Sequence, residues 1–408
     1  MITPLYNIGI GLMTAGLKLA AIFNEKARLL VNGRKQLWRD LETAAVDGPT
    51  IWVHAASLGE FEQGRPLIEA IKKKHPEKKI VLTFFSPSGY EIRKDYELAD
   101  YVFYLPADTQ RKARKFIEKI NPEVVFFIKY EFWYHFLTQL KRKNIPVYGV
   151  SVIFRSSQAF FKWYGGWFRR MLKAFEYFYV QDEVSGQLLN KIGLKNYTVA
   201  GDTRFDRVAE IAAASKEIDL AKQFAGESKV IVAGSTWPGD EKILLKYINE
   251  VKEDVKLIIA PHVIGEEHIK QIEAGLQVKT FRYTNAPENP QDYKVMIVNT
   301  MGMLSAIYKY GQVAYIGGGF GSGIHNTLEA ATYSMPVIFG PNYKKYKEAC
   351  DLVDLKAGFE IVKGSDFDLL MGKFWEESGF LSTSGVSAGA YVAKMCGATS
   401  LIMDQVIK

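Results

Sequence analysis

Strand-like and helix-like segments alternate from Thr50 to Phe339, and this alternation leaves few folds open. Ile51–His54, Lys79–Phe84, Tyr101–Leu105, Glu123–Ile128 and Pro146–Val150 read as short buried strands. Gly59–Lys74, Asp108–Ile120 and Phe132–Lys143 carry helical spacing between them. Parallel strands need crossover connections, and helices supply them. A parallel sheet covered by helices on both faces is therefore predicted. The pattern restarts after Asp206. Lys229–Ala233, Val255–Ala260, Lys294–Val298, Val313–Gly317 and Pro336–Phe339 are strand-like, and Asp240–Val251 and Glu266–Ala274 are helical. The 408 residues are too many for one ordinary core. Two doubly wound, Rossmann-like α/β domains are expected, divided near Tyr197–Val208 by a Gly-Asp turn and a charged stretch.

Ligands of open α/β sheets bind outside the carboxyl ends of the strands. Six loops fall there: Ala55–Glu60, Ser86–Gly89, Lys129–Trp133, Gly234–Gly239, Pro261–His262 and Gly317–Asn326. Ile316–Pro341, IGGGFGSGIHNTLEAATYSMPVIFGP, is the most informative stretch. A strand ends in glycines, among them Gly318 and Gly319, and His325-Asn326-Thr327 opens a helix containing Glu329. Glycines let a ligand approach the backbone, and a helix N-terminus offers N–H groups to an anion. The arrangement suits a nucleotide sugar, with phosphate at the helix tip and ribose on Glu329. Packing alone is the simpler reading of such a turn. Ser235 and Thr236, before Pro238 at a helix start, offer hydroxyl and N–H groups to a phosphate or act only as a cap. Asp366-Phe367-Asp368 has the letters of a metal-binding motif but reads as a late helix cap.

A hydrophobic share of 48% and a charged share of 24% describe a folded protein. Cys350 and Cys396 are too few for a disulfide framework or a zinc site, which points to a reducing compartment. The net charge of +7 favours anionic partners. No nucleic-acid signature is visible, so a lipid surface or a phosphorylated glycolipid is favoured over nucleic acid. Leu5–Phe23 is apolar apart from Asn7, Thr14 and Lys18, and Lys26, Arg28, Arg34, Lys35 and Arg39 follow it. That pattern suggests an amphipathic or shallow membrane anchor with the rest of the chain on the cytoplasmic face; a full membrane span and a buried core helix are the alternatives. Phe154–Tyr179 interleaves aromatic rings with Arg and Lys, which suits a membrane interface or an ordinary core helix.

Seven of these segments, taken in order, resemble the 3-deoxy-D-manno-octulosonic acid (Kdo) transferases of lipopolysaccharide assembly. They are VHAASLGE (Val53–Glu60), TFFSPSGYE (Thr83–Glu91), YEFW (Tyr130–Trp133), GDTRFD (Gly201–Asp206), AGSTWPGDE (Ala233–Glu241), NTMGML (Asn299–Leu304) and GIHNTLEAA (Gly323–Ala331). The resemblance implies a GT-B fold: two Rossmann-like domains facing a central cleft, with an N-terminal membrane-associating helix. It divides the chain into a membrane-associating segment (1–40), an acceptor-binding domain (41–200), a CMP-sugar-binding domain (201–385) and a C-terminal helix (386–408) packing back on the first domain. It implies transfer of Kdo from CMP-Kdo to the lipid A precursor lipid IVA, with inversion, at the cytoplasmic face of the inner membrane.

The family's general base ends a His-Ala-x-Ser-x-Gly-Glu motif, which falls on His54–Glu60 and makes Glu60 the candidate. A carboxylate at a helix start is also favoured by the dipole alone. Glu131 is implied to assist Glu60 or to hold sugar hydroxyls. The family's CMP loops fall on Pro261-His262, on Met301-Gly302-Met303 and on Asn326-Thr327-Leu328-Glu329. His262 stands where Arg is common and Met303 where Glu is common. A protonated His262, His325 or Arg204 is expected to replace the lost cation. Ser57, Gly59, Ser86, Ser88, Arg155 and Arg204 are the further phosphate or acceptor candidates. No cofactor and no metal are expected. A UDP-sugar transferase, an epimerase and a non-catalytic glycolipid-binding protein of the same fold are the alternatives.

Overall fold

The computed structural model describes residues 2–407. The chain divides into two compact units, residues 1–206 with 397–408, and residues 207–396.

The first unit holds a seven-stranded parallel sheet in the order β3-β2-β1-β4-β5-β6-β7. The strands are β1 (Thr50–Ala55), β2 (Lys79–Phe84), β3 (Tyr101–Tyr104), β4 (Pro122–Ile128), β5 (Val147–Val152), β6 (Tyr177–Val180) and β7 (Tyr197–Val199). Ile51 pairs with Ile80 on one side and Val124 on the other, so β1 is a central strand. Its side chains are buried on both faces. Trp52 packs with Phe116, Phe127 and Phe136 on one, and Ile51 and Val53 pack with Leu67, Ile71 and Phe126 on the other. This is why the inner strands read as continuous apolar runs.

Three helices matter below: α1 (Ile2–Ala20), α2 (Glu25–Ala44) and α3 (Leu58–Lys74). The Asn24 side chain caps α2, accepting from the Ala27 N–H at 3.0 Å. Helix α1 is attached to the first unit. Tyr6 donates to Asp108 Oδ2 at 2.5 Å, Asp108 also accepts from the His135 and Phe136 N–H groups at 3.0 Å, and Ile10 is buried. The segment expected at 1–40 is therefore compact with the first sheet, while one face of α1 stays open: Leu5, Ile8, Leu12 and Leu19 are exposed.

The aromatic stretch Phe154–Tyr179 is mostly core. Phe154, Phe160, Trp167, Met171, Leu172 and Phe175 are buried, and Arg169 donates to the Phe160 and Lys162 carbonyls. Of its rings, Trp163 is 93% exposed. The helix expected at 386–408 is two helices, Phe380–Met395 in the second unit and Ala398–Val406 in the first, broken at Cys396-Gly397. Ile402, Met403 and Ile407 complete the first unit's core, and Asp206 accepts from the Gly397 and Thr399 N–H groups. By length and composition Phe380–Val406 is apolar enough to cross a membrane, and 39% of it is buried in the fold.

The second unit carries another seven-stranded parallel sheet, ordered β10-β11-β9-β8-β12-β13-β14. These are β8 (Lys229–Thr236), β9 (Val255–Pro261), β10 (Thr280–Arg282), β11 (Val295–Ile297), β12 (Val313–Ile316), β13 (Val337–Phe339) and β14 (Gly358–Glu360). Ile231, Leu257, Ile259, Tyr315 and Ile338 pack against Leu244, Ile248, Phe367 and Met371 from helices Pro238–Glu250 and Gly364–Glu376. Asp366 is a cap, accepting from the Val362 and Lys363 N–H groups. The two sheets repeat one design, with the strand order reversing beside β1 in the first and beside β8 in the second.

Candidate active site

In the first unit the order reverses between β1 and β4, which opens a crevice at their carboxyl ends. Both candidate carboxylates sit there. Glu60 lies in the first turn of α3, just after β1, and Glu131 follows β4. Glu60 Oε2 accepts from the Ala56 N–H at 2.7 Å. Burial, and then the neighbouring Glu131 charge, push the Glu60 carboxyl above the ordinary glutamate range; the Ala56 N–H, His54 and Lys129 oppose the rise. A carboxylate of raised pKa in a crevice is a better proton acceptor than a solvated one.

Glu131 is held rigidly. Its Oε2 accepts from His54 Nε2 at 2.8 Å and from Trp133 Nε1 at 2.6 Å. His54 is fully buried, and its Nδ1 lies 2.8 Å from Thr83 Oγ1. Trp52 Nε1 donates to that same hydroxyl at 2.8 Å. One proton arrangement satisfies the chain: Trp52 donates to Thr83, Thr83 to His54 Nδ1, and His54 Nε2–H to Glu131. Trp133 also stacks on Phe85, with centroids 5.2 Å apart. Lys129 adopts a left-handed φ of 64° at the end of β4.

The other first-unit candidates divide. Ser86 accepts from the Ser88 N–H at 3.2 Å, and its own N–H donates to the Ala56 carbonyl at 2.7 Å, which ties the loops after β1 and β2 together. Ser57 sits at the N-cap of α3 and Gly59 is exposed in its first turn. The Arg155 N–H donates to Gln158 Oε1, and its side chain reaches Tyr130. Arg204 forks onto Asp202 Oδ2 at 3.0 and 2.9 Å, so its charge is already paired.

In the second unit the crevice lies between β8 and β12. Ser235 turns with φ 53°, and a Cβ on Gly317 would lie 2.2 Å from its carbonyl oxygen, so the loops after β8 and β12 touch only because residue 317 is glycine. Gly318 has φ 92°, and Gly319 packs on the backbone of Gly340. Asp240, fully buried, ties the two loops. Its Oδ2 accepts from the Trp237 and Gly318 N–H groups at 2.9 Å each, and its Oδ1 from the Tyr315 hydroxyl at 2.8 Å. A cavity of about 270 Å³ opens there, lined by Trp237, Asp240, Gly318, Phe320 and Ser322.

Thr236 donates to Glu241 Oε1 at 3.0 Å, and Pro261 ends β9. His262 stacks on Trp237 at 4.6 Å and lies 4.7 Å from the His325 ring. Trp237 Nε1 donates to His325 Nε2 at 3.2 Å. Burial, then His262, push the His325 imidazole below the ordinary histidine range, with Asp240 opposing the fall, and its Nε2 accepts from Trp237.

The helix expected after the glycines is one turn, Leu328–Ala331, too short for a substantial dipole. The first turn of Pro238–Glu250 is the longer N-terminus in this crevice. Glu329 accepts from Ser305 and, at 3.0 Å, from Asn326 Nδ2; Asn326 Oδ1 accepts from the Leu328 N–H at 3.0 Å. Thr327 is buried. Met301 is 75% exposed, Gly302 has φ 83°, and the Met303 sulfur accepts from Thr300 at 3.0 Å. His54, Trp133 and Asp240 were absent from the expected site, although all three lie inside the quoted motifs. Among the described residues no group of three or more His, Cys, Asp or Glu side chains converges to hold a metal ion.

Residues 27–207 match the family model of the 3-deoxy-D-manno-octulosonic-acid transferases (kdotransferase). The chain is 27% identical over 340 residues to 3-deoxy-D-manno-octulosonic acid transferase of Chlamydia trachomatis serovar A, covering 79% of this chain and 78% of that one. It is 28% identical over 318 residues to the Aquifex aeolicus enzyme of the same name, covering 76% and 82%. Among solved structures, UDP-GlcNAc 2-epimerase of Neisseria meningitidis superposes with a TM-score of 0.59 at 14% identity, covering 87% of this chain and 98% of that one. Acinetobacter baumannii MurG gives 0.56 at 10% identity, covering 88% and 99%. At such identities these two speak for the GT-B fold alone. The fold, the motif loops at both strand-order reversals and the relatives that span most of the chain agree: residues 27–207 carry a Kdo transferase domain, and the chain is similar to Kdo transferases over most of its length.

Proposed function

We propose that this glycosyltransferase moves Kdo from CMP-Kdo to the lipid A precursor lipid IVA, with inversion, using Glu60 as general base and no metal ion. The observation that carries the reading is the pair of carboxylates at the β1/β4 reversal, with Glu60 pushed above the usual range beside a fixed Glu131. An acceptor hydroxyl is a poor nucleophile until its proton leaves. The acceptor oxygen bonds to the anomeric carbon of Kdo as the bond from that carbon to the phosphate oxygen breaks. The proton passes to Glu60, and CMP departs with the electron pair. Attack opposite the leaving group inverts the centre. Glu131, fixed through His54 and Trp133, keeps Glu60 basic and orients sugar hydroxyls.

In the donor half, Glu329 and Asn326 are assigned to the ribose and the Pro261-His262 and Met301–Met303 loops to the nucleotide. The N–H groups at the start of Pro238–Glu250 and in the glycine loop stabilise the leaving phosphate. Incubation with CMP-Kdo and lipid IVA, with mass spectrometry and NMR of the product, tests the reaction and its stereochemistry. UDP-sugar turnover without CMP-Kdo turnover would overturn it. Chelator should leave the rate unchanged; a loss restored by Mg²⁺ would contradict the metal-free assignment. Glu329→Ala should weaken CMP binding by about 1–3 kcal/mol, the scale of a lost charged hydrogen bond. Calorimetry showing unchanged CMP affinity would remove Glu329 from the donor site.

The same reading places the enzyme on the cytoplasmic face of the inner membrane, through the open face of α1. Deleting α1 would also remove Tyr6 and Ile10 from the fold, so substitution is the cleaner test. Replacing Leu5, Ile8, Leu12 and Leu19 together by Ser should cost on the order of 1 kcal/mol of membrane binding per residue. Transfer to acceptor in bilayers should slow, and transfer to detergent-dispersed acceptor should not. Equal liposome binding by the folded variant would make that face an ordinary protein surface.

A further inference from the structure

Four cations line one cavity of the first unit, and no carboxylate lines it. Lys18 comes from α1, Arg34 and Lys35 from α2, and Lys112 from helix Gln110–Ile120. The cavity measures about 280 Å³. Apolar walls, including Leu17, Val31 and Trp38, surround the charges.

Arg34 is the fixed point. Its Nε donates to the Leu105 carbonyl at 2.9 Å, and its guanidinium lies over the Phe85 ring at 4.7 Å. Gly33 makes this possible, because a Cβ there would meet the Tyr104 ring at 2.2 Å and hold α2 off the sheet. Yet one terminal nitrogen of Arg34 is buried without a hydrogen-bond partner. A buried guanidinium N–H left unpaired is costly, and an anion in the cavity would satisfy it. The cations also repel each other. Burial, then Arg34 and Lys18, push the Lys112 ammonium down, and burial pushes Arg34 down to about 10. None of the four forms an ion pair among the described residues.

We propose that this cavity binds a phosphomonoester carried at a lipid–water boundary. A phosphomonoester has about −1.5 to −2 charge at pH 7 and three acceptor oxygens, which match a forked Arg flanked by ammonium groups. A phosphodiester carries less charge and fewer free oxygens. The lipid boundary follows from α1, which lends Leu17 and Lys18 to the cavity and presents Leu5, Ile8, Leu12 and Leu19 to solvent. The cavity holds a head group and not an acyl chain as well. The inference rests on the first unit alone and stands whatever sugar nucleotide the second unit takes.

The test compares binding of the full chain to vesicles containing phosphatidic acid, a monoester, with binding to vesicles of phosphatidylglycerol, a diester, at matched surface charge. The wild type should favour phosphatidic acid by about fivefold or more, the scale of one added hydrogen bond to the extra free oxygen of a monoester. Lys18→Gln and Lys112→Gln should each bring that ratio towards one with little change on phosphatidylglycerol, and an unchanged melting temperature would show that they fold. Equal binding of the wild type to both vesicles, or an equal loss on both in the variants, would overturn the site in favour of unspecific surface attraction. Calorimetry with inorganic phosphate separates the two sources of the anion. Weak binding that Lys112→Gln abolishes supports the lipid-borne monoester; binding as tight as to phosphatidic acid vesicles would overturn the lipid part.

Discussion

Glu60→Gln should lower turnover by roughly 10²-fold or more while leaving CMP affinity unchanged, because a general base contributes about 10²–10⁴-fold. Gln keeps the size of Glu60 and can still accept from the Ala56 N–H, so α3 should start as before. Proton acceptance and the buried negative charge are lost together. The pH profile gives a second readout. The base must be ionised, and burial with Glu131 holds Glu60 above the ordinary glutamate range, so the acidic limb of kcat should lie above that range. Glu131→Gln removes the like charge, and the limb should move to lower pH. Stability follows with its own sign. An acid whose folded pKa exceeds its unfolded pKa destabilises the fold as pH rises from the unfolded towards the folded value, and above it. Glu60→Gln should therefore melt no lower than wild type at pH 7, with any gain vanishing below the ordinary glutamate range. Wild-type turnover in Glu60→Gln, or an acidic limb unmoved by Glu131→Gln, would take Glu60 out of the mechanism.

The two sheets are legible because both faces of each inner strand are covered, which turns β1, β4, β8 and β9 into plain apolar runs. The strands missed, β6, β7, β10 and β14, are short and lie towards the outer sides of the sheets. β6 is also hidden inside an aromatic stretch whose composition suits a membrane interface as well as a core. Glu60 and Glu131 are visible because each follows a strand end inside a recognisable motif. What fixes them is not. His54 sits among apolar residues of β1, and a histidine there reads as core until Glu131 is seen 77 residues away at its Nε2. The helix after the glycine run was overestimated for a similar reason. Asn326 and Glu329 bond to each other and to Ser305, closing the structure locally where helical continuation was expected.

Asp240→Ala should abolish donor binding more thoroughly than any substitution among the expected CMP contacts. Asp240 lies in the first turn of Pro238–Glu250 and accepts from the Trp237 N–H, as a capping residue does. Its other partners make it more than a cap. Gly318, 78 residues on, and the Tyr315 hydroxyl both donate to the same buried carboxylate, so one side chain joins the start of Pro238–Glu250 to the glycine loop. Alanine leaves three donors facing a void, at about 1–3 kcal/mol for each that stays buried and unpaired. The glycine loop is the element that relaxes most easily, because its residues lack side chains to hold it. Asp240→Ala should therefore lose several kcal/mol of stability and CMP affinity below detection. Asp240→Asn separates geometry from charge. Its carbonyl oxygen can accept from both N–H groups, and its amide can donate to the Tyr315 hydroxyl oxygen. Most of the stability and donor affinity should return in that variant. Calorimetry and thermal melting on both variants decide the matter: CMP bound by Asp240→Ala with wild-type affinity would show that the two loops hold the donor without this bridge.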